Sequence, residues 1–340
     1  MTSQLRVLVT GVGGDLGQAI VKALRLSDRD IICYGCDIAT PSVGSAFVES
    51  FHRVPRADDE RYLDVLRQLC QDLGVQAIIP GSEPETHRIS RSGNPPKLSP
   101  GVIAVCQNAE WISTYGDKLV CMAALADQID LVPFADGTDE HAVEDLVQRT
   151  GFPLVVKERR SSGGKNFGIA HDIDSLVAML AESTLPLVQA YIDDSEGEFS
   201  VGVFVAGEFF QAIAFSRTLG PGGCSWFAET SEDAEVLDYA LQITAASQVR
   251  GSVNIQVRKG ADGVRLLEIN PRFSSLAAAR AACGFKDVEW ALDMALGHFA
   301  IDGPQPIKQM RFYRFLGELV DFGSGLGRIP EWDAQSVEDS

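Results

Sequence analysis

The stretch Val264-Arg-Leu-Leu-Glu-Ile-Asn-Pro-Arg272 decides how this chain is read. It follows Ser252-Val-Asn-Ile-Gln-Val257 and the turn residues Gly260-Ala-Asp-Gly263, a pattern that predicts a β-hairpin. Side chains alternate along a strand, so Glu268 and Asn270 share one face while Ile269 is buried on the other. Gln256, on the neighbouring strand, can join them. Oxygen donors grouped in this way suit a hard cation that keeps some waters and shares phosphate oxygens. Mg2+ is the natural occupant, and Mn2+ accepts the same donors. Pro271 ends the strand and aims Arg272 into the same space, where a guanidinium can hold a phosphoryl group or carboxylate by two contacts. The plainer alternative is an edge strand with solvated polar residues.

Upstream, the chain supplies cations. Phe152-Pro-Leu-Val-Val-Lys157 reads as a strand ending in a lysine, followed by Arg159-Arg-Ser-Ser-Gly-Gly-Lys165. Backbone N–H groups of a small-residue loop suit polyphosphate oxygens, although a solvated hairpin turn has the same composition. A helix is expected over 173–181, then the apolar strand Leu185-Pro-Leu-Val-Gln-Ala-Tyr-Ile192, then the acidic run Asp193-Asp-Ser-Glu-Gly-Glu198. Acids after a buried strand can reach a ribose or form an exposed turn. Arg217 and the loop Gly220-Pro-Gly-Gly-Cys-Ser-Trp226 lie between these acids and the hairpin, which makes Arg217 a candidate substrate or phosphate contact.

The N-terminal part alternates strands and helices. Strands are expected at 6–10, 31–36, 77–80 and 101–105, helices after Gly17 and over 62–73, and a surface loop over 92–100. Such alternation implies a parallel, doubly wound sheet. Gly11, Gly14 and Gly17, with Asp37 about 20 residues on, have the form of a dinucleotide turn and resemble the short-chain dehydrogenase fingerprint. Those enzymes also need a Lys four residues after a Tyr. The residues four past the tyrosines here are Ile38, Leu66, Leu119, Ser195, Ile243 and Gly317. Glu83, Glu85 and Arg88 follow the third strand, at the carboxyl end of the sheet where ligands gather, or else open a helix with favourable early acids.

Composition narrows the class further. With 340 residues, 45% hydrophobic, the chain can bury two or three packed units. Lys and Arg number 29 against 47 Asp and Glu, a formal charge of -18 that disfavours nucleic acid as a partner. No apolar run approaches the ~20 residues of a membrane span, and the first residues lack the sections of a secretory leader, so a cytoplasmic location is expected. Seven cysteines suit a reducing compartment; Cys33 and Cys36 read as buried thiols rather than a redox pair. The five histidines form no helical metal pair.

Taken in order, Lys118 after Gly116-Asp117, Lys157 with its glycine loop, the Gln189 to Ile192 strand, Glu198-Phe-Ser-Val, Asn254-Ile-Gln256 and Glu268-Ile-Asn-Pro-Arg272 resemble the ATP-grasp superfamily, nearest its carbamoyl-phosphate-synthetase-like members. The resemblance covers roughly 5–300, and the hairpin is its most specific part. It implies an α/β and α+β chain: a Rossmann-like pre-ATP-grasp domain over 1–110, an ATP-grasp domain over 111–305 whose two α+β subdomains clamp ATP, with a lid at about 150–190, and a C-terminal strand and acidic tail over 306–340.

The resemblance also implies roles. Lys118 and Lys157 would contact nucleotide phosphates, and Ser161, Ser162, Gly163 and Gly164 would close over them as a lid. Gln189, Ala190 and Ile192 would face adenine, and Glu198 or Glu196 would bind ribose hydroxyls. Gln256, Glu268 and Asn270 would hold Mg2+, with Arg272 steadying the transferred phosphoryl group. The implied activity is ATP-dependent joining of a small carboxylic acid to an amine through an acyl phosphate. Alternatives are phosphoryl transfer ending at an acyl or carbamoyl phosphate, an NAD(P)-dependent reductase, and a nonenzymatic nucleotide sensor. Gln189 stands where an acid is common, and neutral Gln256 fits the carbamoyl-phosphate-synthetase pattern better than sites with two carboxylates. A full synthetase would have two such halves, and no internal repeat is evident. Met310-Arg-Phe-Tyr-Arg-Phe-Leu316 reads as a last core strand, or else as part of a homodimer face.

Overall fold

The computed structural model describes residues 4–160, 167–315, 317–321 and 326–328. Leu5–Val9 (β1), Ile31–Asp37 (β2), Phe51–Arg53 (β3), Ala77–Ile79 (β4), Lys97–Ser99 (β5) and Val102–Ala104 (β6) form the first sheet, in the order β3-β2-β1-β4-β6-β5. All its pairings are parallel except that of β5 with β6. Helices Asp15–Arg25 (α1), Tyr62–Leu73 (α2) and Glu83–Ser90 (α3) cross between strands. In α1, Leu16, Ala19, Ile20, Ala23 and Leu24 make the buried stripe, with Asp15 in the first turn and Arg25 in the last, as the helix dipole favours. Strand β5 corrects the expectation of a surface loop over 92–100: Leu98 is buried in one core with Leu66 and Ile89, so the segment pairs at the sheet edge.

Ala109–Tyr115 (α4) and Lys118–Leu125 (α5) lead to a small antiparallel sheet of Phe134–Asp136 (β7), Leu154–Glu158 (β8), Phe167–Ala170 (β9) and Pro186–Ala190 (β10), in the order β7-β10-β8-β9. Glu140–Thr150 (α6) and Ile173–Glu182 (α7) cover one face with their own core, built on Leu146, Leu154 and Leu176. This unit starts at β7, upstream of residue 150, because β7 pairs with β10.

The largest sheet joins Gly197–Ala206 (β11), Phe209–Leu219 (β12), Ser225–Ser231 (β13), Gly251–Gly260 (β14), Gly263–Asn270 (β15) and Arg311–Tyr313 (β16), in the order β15-β14-β11-β12-β13-β16. Ala234–Ser247 (α8) packs on one face, and Ala277–Ala282 (α9) and Asp287–Leu296 (α10) on the other. Phe204, Phe285 and Trp290 share a core with Val7, Ile20 and Leu24, which fixes the first sheet against the third. Burying each such side chain stabilises by ~1.5–3 kcal/mol. Strand β16 corrects the core-strand expectation for 310–316. Among the described residues it pairs only with β13, at the edge, and leaves Tyr313 67% and Phe315 75% exposed.

Candidate active site

A cleft of about 960 Å3 opens where the three sheets meet, and its walls include Lys118, Lys157, Gln189, Ile192, Glu198, Arg217, Gln256, Glu268 and Arg272. Sheet register explains the convergence. Gln256 lies opposite Glu268, and Asn254 opposite Asn270, across β14 and β15, so four polar side chains follow one hairpin face. Glu198 pairs with Arg217 on the other side of β11.

The charged groups hold one another. Lys118 Nζ lies 3.2 Å from Glu268 Oε2, and Asn270 Nδ2 donates to Glu268 Oε1 at 2.9 Å. Buried Lys157 donates from Nζ to the Leu267 carbonyl at 3.0 Å. Desolvation brings its pKa down to about 8, against the pull of Glu268. Burial alone would raise the Glu268 carboxyl, but Lys118, the Asn270 hydrogen bond, Lys157 and Arg272 outweigh it and hold the group below its ordinary value. Arg217 forks between Glu198 and Gln256, donating to Gln256 Oε1 at 2.8 Å, while Arg258 holds the other Glu198 oxygen at 3.0 Å.

The donor set fits a hard cation. Gln256, Glu268 and Asn270 offer amide and carboxylate oxygens, and no group of three His, Cys, Asp or Glu among the described residues could hold a metal without amide donors. On the wall that β10 supplies, Gln189 Oε1 is buried with no hydrogen-bond partner. A ligand amino group could satisfy it.

Not every expected residue reaches the cleft. Glu196 is outside, half exposed and 3.4 Å from Lys259, because Gly197 at φ 99° turns the chain before Glu198. Ala190 is absent from the walls and donates its N–H to the Pro133 carbonyl at 2.9 Å. Asn270 reaches the site only through Glu268. Ser161, Ser162, Gly163 and Gly164 lie outside the described residues. The residues just before them are anchored, since Asp117 caps α5 and pairs with Arg159 and Arg160 at 3.0 and 3.1 Å. Desolvation opposes the charge on Asp117, but the hydrogen bond from Arg159 helps to keep its pKa below the usual carboxylate value.

Sequence reasoning missed Asn254 as a cleft residue. Its Oδ1 accepts from Ser200 Oγ at 2.8 Å and from buried Arg280, and a guanidinium only donates, so the amide orientation is fixed. That leaves Nδ2 buried, unpartnered and in the cleft wall. Its position two residues before Gln256, on the same strand face, was the available signal. Arg258, two residues after Gln256, was missed in the same way.

The glycine turn of the first sheet is used for packing. A Cβ on Gly17 would lie 2.3 Å from the Gly11 carbonyl oxygen, and one on Gly81 2.0 Å from that of Thr10. Asp37 accepts from Gly13 N at 2.8 Å and Ala39 N at 3.1 Å, so its carboxylate braces the turn. Glu85 is buried against Tyr62 and Ser82, and desolvation raises its pKa.

The fold is shared with ATP-grasp structures, and part of the chain matches an ATP-grasp family. Residues 183–315 match the family described as "ATP-grasp in the biosynthetic pathway with Ter operon". The chain is 25% identical over 370 residues to the arginine-specific carbamoyl phosphate synthase large chain of Eremothecium gossypii, covering 98% of this chain and 32% of that one. It spans about a third or less of the length of the curated relatives it matches first. Among solved structures, N5-carboxyaminoimidazole synthetase from Staphylococcus aureus in complex with ADP superposes with a TM-score of 0.72 at 15% identity, covering 92% of this chain and 83% of that one. L-amino acid ligase from Bacillus licheniformis superposes with a TM-score of 0.66 at 15% identity, covering 87% and 75%. Among the described residues, no helix is long and apolar enough to cross a membrane.

Proposed function

We propose that this chain is an ATP-dependent enzyme that joins a small carboxylic acid to an amine through an acyl phosphate, releasing ADP and phosphate. The observation that carries this reading is the meeting of Lys118, Lys157 and Arg272 around Glu268, directly across the ladder from Gln256, in one large cleft. Cations around a carboxylate and amide oxygens suit a polyphosphate and its divalent ion. In this reading Lys118 and Lys157 bind phosphate oxygens, and Gln189 and Ile192 line the adenine end. Glu198, steadied by Arg217 and Arg258, accepts from the ribose hydroxyls. Gln256, Glu268 and Asn270 would hold Mg2+ or Mn2+, which supplies charge neutralisation at the phosphates.

The substrate carboxylate oxygen attacks the γ-phosphorus as the bond to ADP breaks. Arg272 holds the transferring group, with Arg217 close by, and the walls limit access of water to the acyl phosphate. The amine nitrogen then attacks the acyl carbon, phosphate leaves and the amine gives up a proton. Residues 1–110 would shape the substrate end. Nucleotide product analysis tests the scheme. ADP and phosphate are expected with a competent substrate pair, whereas AMP and pyrophosphate would refute it. Hydroxylamine trapping in the absence of amine separates it from phosphoryl transfer that ends at the acyl or carbamoyl phosphate.

A further inference from the structure

We propose that a second small-molecule site lies behind Arg272, in a cavity of about 330 Å3 that takes a short organic carboxylate with an apolar body. The cavity is separate from the cleft: among the described residues, Arg272 alone lines both. It forms where the edge of the first sheet, the start of β14 and helix α10 come together. Its apolar lining includes Ile103, Val105, Phe273, Ala291, Met294 and Ala295.

Its charge pattern points to the ligand. Among the described residues, Lys97, Arg250 and Arg272 line the cavity and no Asp or Glu does, although the chain carries 47 acids against 29 bases. Neither Lys97 nor Arg250 makes an ion pair among the described residues, whereas most cations near the cleft do. Cations left without local carboxylates beside an apolar chamber favour an anionic headgroup on an apolar body. A volume near the small end of ligand pockets, which run ~300–1,000 Å3, limits that body to a short chain.

The chamber is held in place by its frame. Strand β5 sets Lys97 beside Ile103 in the ladder. The Gln107 side chain donates to the carbonyls of Arg250 and Ser252, tying the exit of the first sheet to β14. Gly251, at φ 77°, turns the chain next to Met294. The binding claim stands independently of how the cleft is read.

Titration calorimetry with octanoate, kept below micelle-forming concentrations, tests it on the full chain. Saturable binding of octanoate is expected, with octan-1-ol and octylammonium at least tenfold weaker. The double variant Lys97→Glu/Arg250→Glu should lose at least tenfold in octanoate affinity while its Mg-ATP heat and melting temperature stay as in wild type. Ala295→Trp fills the cavity without changing charge and should abolish the octanoate heat, so this arm still reads out if the double variant fails to fold. Absence of saturable octanoate binding would overturn the proposal. So would octanol binding as tightly as octanoate, or octanoate affinity indifferent to both folded variants.

Discussion

Glu268 stands directly opposite Gln256 across the β14–β15 ladder, and each is held by a cation from a different element: Lys118 at 3.2 Å from Glu268 and Arg217 at 2.8 Å from Gln256. A divalent ion held by these oxygens would take over the charge compensation of Glu268 and free Lys118 for phosphate, while Arg217 stays paired with Glu198. Glu268→Gln should therefore weaken the Mg2+ enhancement of ATP binding by about 10-fold or more, since it removes the one carboxylate of the donor set. Nucleotide titrations with and without Mg2+ check this. An unchanged enhancement would remove Glu268 from the metal site.

Arg217 bridges Glu198 and Gln256, and its planar fork makes both contacts at once. Arg217→Lys keeps the charge and loses the bridge. Turnover, followed as ADP release, should fall by about 100-fold in both Arg217→Ala and Arg217→Lys, in the range seen when one preorganised donor is removed. Recovery in the lysine variant would mean that charge alone matters there.

Asp117 is 1% exposed and anchors Arg159 and Arg160 beside Lys118. Its folded pKa is depressed, so its stabilising effect is present above the unfolded carboxylate value and is lost as pH falls through the folded one. Asp117→Asn should cost about 1.5–3 kcal/mol near neutral pH, because the buried carboxylate and its charge-assisted hydrogen bonds to half-buried Arg159 and exposed Arg160 are lost. The gap from wild type should narrow as the pH falls below about 4, the ordinary Asp value. Urea midpoints at several pH values read this; a gap constant with pH would contradict it.

The turn at Gly17 leaves no room for a methyl group. Gly17→Ala should destabilise by about 1–3 kcal/mol through backbone displacement, even without nucleotide present. Denaturant unfolding of the variant measures it, and an unchanged midpoint would show that the turn relaxes freely.

Much of this was legible because it is local. Alternation along one hairpin put Glu268 and Asn270 on one face, and the apolar spacing of residues 62–73 predicted the helix observed at Tyr62–Leu73. What sequence did not disclose depends on distant partners. Gly197 turns Glu196 away from Glu198 by a backbone angle that composition does not encode. Asn254 becomes an oriented donor only because Arg280, from α9, fixes its carbonyl end. Leu98 lies in a polar, proline-rich stretch that reads as loop, yet packing against Leu66 and Ile89 draws it into a strand. Conversely, Met310-Arg-Phe-Tyr-Arg-Phe-Leu316 reads as core from its aromatics, but among the described residues the sheet ends at β16, with no further strand to cover Tyr313.

The central claim is that the cleft around Lys157 binds Mg-ATP. Titration calorimetry of Mg-ATP, and separately of NADPH, into wild type and Lys157→Ala tests it most directly. Mg-ATP is expected to bind wild type and to lose that binding in a variant that keeps the wild-type melting temperature, and NADPH is expected to give no heat in either. NADPH binding that ignores Lys157, together with no response to Mg-ATP, would contradict it and make the Gly11 to Gly17 turn the nucleotide site.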